Sequence, residues 1–115
     1  MSNKLFDRDW MLAQIGGDED LMHEVIQIFV DSFESLHEEV LGAVSSGEPT
    51  RVREAAHAIK GAVGNFGAAE VVAAALALEN AGKVADLAHF EPLCHQLSPL
   101  MLQLKQVLSE ELLRV

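Results

Sequence analysis

Apolar residues recur at helical spacing along most of the chain, and nowhere in the strict alternation that marks a strand. Between Pro49 and Gly67, the residues Val52, Ala56, Ile59, Val63 and Phe66 follow at steps of four, three, four and three. That single stripe predicts a helix facing a core. Pro49 suits its first turn, after the turn residues Ser45-Ser46-Gly47-Glu48, and Gly67 is its expected stop. Upstream, Asp18 is the expected N-cap of a helix running to about Val44, with Glu19 and Asp20 in the first turn, where the helix dipole favours anions. Its core stripe reads as Leu21, Val25, Ile28, Phe29, Leu36 and Val40, widened on one flank by Met22, Ile26 and Phe33. So broad a stripe predicts contact with two neighbouring helices. The alternative is an apolar rim left open to a partner.

The remaining segments extend the same pattern. Asp7 is placed to cap a short helix with Trp10, Met11 and Ile15 on its apolar side, ended by Gly16-Gly17. Ala68 to Ala81 reads as a fourth helix, with Val72, Ala75, Leu76 and Glu79 at helical spacing and Gly82 as its end. From Asp86 to Leu113, the residues Leu93, Leu97, Leu100, Leu104, Val107 and Leu108 mark a last long helix, with Pro92 in its first turn. Pro99 predicts a kink or break, because an interior proline removes a hydrogen bond at a cost of about 3 kcal/mol. The expectation is an all-α fold, an antiparallel four-helix bundle with a short extra N-terminal helix, in one domain over residues 1–115.

Composition narrows the setting. A chain of 115 residues can close a single core without staples. Its one cysteine, Cys94, excludes an intramolecular disulfide and reads as a small buried hydrophobe. No apolar run reaches the roughly 18 residues that span a bilayer, and Met1-Ser2-Asn3-Lys4 lacks a signal peptide's apolar stretch. A cytoplasmic, free-standing protein is expected. The net charge of −10 makes nucleic acid and anionic membrane poor partners, so the partner should be a protein. Against that background, three of the eight basic residues, Arg51, Arg53 and Lys60, fall close to His57.

The chemistry lies on the second face of the third helix. Arg53, His57, Lys60, Gly61 and Gly64 share it, and two interior glycines there each cost about 0.5–1 kcal/mol relative to alanine. Clearance for something large to approach His57 explains that cost. A neutral imidazole is a nucleophile at pH 7, and Lys60, one helical turn away, can offset the charge of a transferring phosphoryl group. Elsewhere, His23 and His37 read as surface histidines, and His89, Cys94 and His95 match no zinc spacing. No nucleotide-binding loop is present.

The run Ala56-His57-x-Ile59-Lys60-Gly61, followed by Gly64-Asn65-Phe66-Gly67-Ala68, resembles the signature of histidine-containing phosphotransfer domains. Gly16-Gly17-Asp18 and Leu78-Glu79 extend the likeness, which covers about residues 5–110; Ile59 stands where leucine is commoner. The resemblance implies a phosphorelay intermediate. His57 would accept a phosphoryl group from the aspartyl phosphate of a receiver domain, in a response regulator or hybrid histidine kinase, and pass it to another. Lys60 would neutralise charge, Gly61 and Gly64 would leave room, and Arg53 would meet the partner. The chain would hold no metal or cofactor of its own, with Mg²⁺ supplied by the receiver, and would act as a monomeric covalent carrier, not an autonomous enzyme. The competing expectation is a helical module that docks on a receiver or kinase and inhibits it without carrying phosphate.

Overall fold

The computed structural model describes residues 5–114. Five α-helices account for most of them: α1 (Arg8–Gln14), α2 (Glu19–Ser46), α3 (Pro49–Val63), α4 (Ala69–Lys83) and α5 (Phe90–Leu112). The four long helices form an elongated bundle, 44 × 21 × 20 Å, in which α3 packs on α2 and α4, and α5 packs on the same two helices from the other side. No helix among the described residues is long and apolar enough to cross a membrane.

Helix ends follow the expected local chemistry. Asp7 and Asp18 accept hydrogen bonds from the backbone amides of Trp10 and Leu21, capping α1 and α2. Gly47 ends α2 at a φ of +70°, a left-handed conformation that glycine adopts without strain. The α3 stripe is as read: Val52, Ala56, Ile59, Val63 and Phe66 are all fully buried.

In α2 the core stripe differs from the expected one. The buried residues are Met22, Ile26, Phe29, Phe33, Val40 and Ala43, whereas Leu21 is 38% and Ile28 67% exposed. What reads as a flank is the centre of the contact. The line through Met22, Ile26, Phe29 and Phe33 faces α3 and α5, and its phenylalanines join Phe66 in edge-to-face pairs at centroid distances of 6.1 Å (Phe29–Phe33) and 5.4 Å (Phe29–Phe66).

Three boundaries also move. A 3₁₀ turn, Gly64–Phe66, lies between α3 and the left-handed Gly67. Another, Leu87–His89, precedes α5, which therefore starts at Phe90 instead of Asp86. Gly82 lies inside α4, not at its end. A Cβ on Gly82 would fall 2.7 Å from the Arg53 backbone nitrogen and 2.9 Å from its Cα. Gly82 is there because α3 and α4 approach each other backbone to backbone. α5 is a single helix through Pro99. Pro99 and His95, whose carbonyl loses its usual amide partner, are both exposed, so water can replace the bond.

The short helix α1 closes one end. The Asp7 amide donates to the Phe66 carbonyl at 2.9 Å, and Phe6 packs edge-on against Phe66. Arg8 bridges Glu19 at 2.8 Å and the buried Glu111 at 3.0 Å, tying α1 to the start of α2 and the end of α5.

Candidate functional site

His57 stands in the middle of α3, on the face opposite its buried stripe, with its side chain 66% exposed. The close approach at Gly82 brings α4 alongside, so that Glu79 of α4 reaches the ring from below. Its carboxylate is 96% buried, and one oxygen lies 2.9 Å from His57 Nδ1. The other lies 2.7 Å from Lys60 Nζ. Lys83, one turn along α4, stands 4.0 Å from the oxygen that faces the histidine.

This arrangement sets the protonation of the ring. An ionised carboxylate can only accept, so Nδ1 must donate, and in the neutral imidazole the lone pair is then on Nε2. Glu79 stays ionised despite its burial. The Lys60 ammonium, 2.7 Å from one oxygen in an ion pair, ahead of the hydrogen bond to His57, holds its carboxyl below the ordinary carboxylate range, overcoming the upward push of desolvation. The result is an exposed imidazole with Nδ1 anchored on Glu79 and the lone pair of its neutral form on Nε2.

The site residues expected from sequence are on one face, with differences. Gly61 and Gly64 are exposed, and a Cβ on either would meet nothing within 4 Å, so both border open space beside His57. Arg53 is half-buried, with its backbone against Gly82. Lys60 does not project freely; it is 30% exposed and paired with Glu79. Arg51 leaves the cluster altogether, because it pairs with Glu39 of α2 at 2.9 Å and donates to the Gly42 carbonyl. The basic surface near His57 is therefore made by Arg53, Lys60 and Lys83. Sequence reading missed Glu79 and Lys83 as site residues. The available signal was a carboxylate on the apolar side of a helix rich in alanine and aliphatics.

Two histidines read as surface residues are half-buried: His37 Nε2 lies 2.6 Å from Ser98 Oγ, and His23 lies beside Glu111.

A family model described as the Hpt domain matches residues 24–111, most of the chain, His57, Lys60 and Glu79 included. The chain belongs to the Hpt domain family. Hpt domains are phosphotransfer carriers of two-component signalling that interact with receiver domains, and this is the class of the present protein. The Hpt fold is also seen in the crystal structure of histidine-containing phosphotransfer protein B from Pseudomonas aeruginosa PAO1. That structure superposes with a TM-score of 0.88 over 99% of each chain, at 21% sequence identity. No curated protein matches the chain.

Proposed function

We propose that His57 Nε2 accepts a phosphoryl group from the aspartyl phosphate of a receiver domain and hands it on to another receiver, reversibly. The observation that carries this reading is the 2.9 Å contact between Nδ1 and the buried Glu79 carboxylate, which directs the lone pair to the exposed nitrogen. In the transfer, the Nε2 lone pair attacks phosphorus in line. The N–P bond forms as the P–O bond to the aspartate breaks, and the electron pair leaves with the aspartate carboxylate. Nδ1 keeps its proton, so the phosphorylated ring is cationic, and Glu79 lies against that charge. Transfer onward reverses each step.

Lys60 offsets charge on the outer phosphoryl oxygens, and Gly61 and Gly64 leave clearance for the receiver. Arg53 adds positive charge for a partner site rich in carboxylates, which raises the association rate at low salt. Both Glu79 oxygens already face His57 and Lys60, so the donors around His57 do not suit a metal ion. The Mg²⁺ of the transfer belongs to the receiver.

The test uses a small phosphoramidate donor and no partner. A single acid-labile, base-stable phosphate located on His57 by mass spectrometry, and absent from His57→Gln, is the expected result. Phosphate spread over the five histidines, or none, overturns the proposal in favour of an inert docking module.

A further inference from the structure

Glu79 faces three cationic or donor groups on its two oxygens: Lys60 at 2.7 Å, His57 Nδ1 at 2.9 Å and Lys83 at 4.0 Å. Two of these are engaged, whereas Lys83 stands off, 53% exposed. Resting on the proposed phosphorylation of Nε2, this geometry contains a conflict. Lys60 is the cation one turn from His57 that would meet the phosphoryl oxygens, yet it is also the close ion partner of a nearly fully buried carboxylate. If Lys60 moves outward, Glu79 keeps one hydrogen bond and loses its counter-ion. A buried charge left uncompensated is among the more costly events in a folded protein.

We propose that Lys83 is a relief cation: when Lys60 swings from Glu79 to the phosphoryl group, Lys83 closes onto the Glu79 carboxylate in its place. The i, i+4 spacing of Glu79 and Lys83 on α4 puts the ammonium within one side-chain rotation of contact. Among the described residues, Lys83 is the only other lysine within 4.0 Å of that carboxylate. Lys83 is thus a positioning residue: it acts through Glu79, and its effect is to release Lys60 for the chemistry.

The experiment follows phosphorylation of His57 by phosphoramidate, and then transfer to a receiver domain with Mg²⁺. It compares the wild type with Lys83→Gln and Lys83→Arg, each with Glu79 intact and with Glu79→Gln. Lys83→Gln should slow both reactions about three- to fivefold, the range open to a half-exposed ion pair, and Lys83→Arg should restore them. With Glu79→Gln no buried charge needs relief, so the same substitution should then change nothing, however slow the background. A lysine that merely touched the receiver would act in both backgrounds and leave phosphoramidate labelling alone. Ammonium-detected NMR of the wild type gives an independent readout: on phosphorylation, the Lys83 signal should become protected from exchange as Lys60 shifts toward the phosphoryl group. Wild-type rates in Lys83→Gln, an effect that persists without Glu79, or an unmoved Lys83 signal each overturn the inference while leaving phosphorylation of His57 standing. A wild type that takes no phosphate overturns both.

Discussion

Replacing Glu79 by glutamine changes one oxygen to an amide nitrogen and should invert the chemistry of His57. Glutamine is close in shape, so the change tests protonation and not packing. Lys60 Nζ lies 2.7 Å from one carboxylate oxygen and, as a donor only, needs an acceptor there; the remaining carbonyl oxygen will turn to it. The amide nitrogen then faces His57 Nδ1 and donates, which requires the lone pair on Nδ1 and the proton on Nε2. A hydrogen bond to a charged group contributes about 1.5–3 kcal/mol, and about 1.4 kcal/mol is a tenfold change in rate, so the nucleophilic tautomer should fall about ten- to 150-fold. With the His57 side chain 66% exposed, water screens part of the interaction and the lower end applies, about tenfold. The assay is the initial rate of phosphoramidate labelling, with ¹⁵N NMR of the imidazole to read which nitrogen is protonated. A labelling rate within twofold of wild type, with Nδ1 still protonated, would refute the tautomer argument.

Other outcomes follow from neighbouring positions. Gly61→Leu places its side chain in open space, so stability should hold or rise by up to about 1 kcal/mol, whereas receiver transfer should fall at least about tenfold; stopped transfer with unfolding, or unchanged transfer, contradicts the clearance role. Gly82→Ala drives a methyl against Arg53 backbone atoms at 2.7 and 2.9 Å, neither of which is a flexible side-chain end. Overpacking of about 1–3 kcal/mol exceeds the helix-propensity gain of up to about 1 kcal/mol. A melting temperature lower by roughly 4–8 °C is expected by calorimetry, and an unchanged one would mean that the helices separate freely. Acid gives a further check. The folded pKa of Glu79 is depressed, so its stabilising contribution is complete above the unfolded value near 4.5 and is lost as pH falls through the lower folded value. The gap in urea midpoint between wild type and Glu79→Gln should therefore narrow below that pH, and a gap constant from pH 7 to pH 3 would be the contrary result.

Helix α3 was legible in the sequence because every partner of its stripe lies inward; spacing alone placed Val52 through Phe66, and the same run set His57 on a second face turned to solvent. Helix α2 was only half legible. Aliphatic residues occupy both the buried line and the outer ridge, so periodicity could not tell Met22 and Ile26, fully buried, from Leu21 and Ile28, which are exposed. Glu79 was hidden for a different reason. A carboxylate among alanines reads as an ordinary helix residue until another helix delivers a lysine and an imidazole donor to it, and the pairing with His57 spans 22 residues. Gly82 was legible as a glycine but not in its role, since a stop and a close approach look alike in one dimension.

The contact of α3 with α4 also bears on how the site comes into being. His57, Lys60, Glu79 and Lys83 all belong to one αα-hairpin, joined by the short turn from Gly64 to Ala68. Among the described residues, every ion pair around His57 therefore closes a loop of modest length, and none waits for α1, α2 or α5. In kinetic terms these four residues form a low-contact-order unit, whose closure costs less chain entropy than the α2–α5 pairing between segments far apart in the chain.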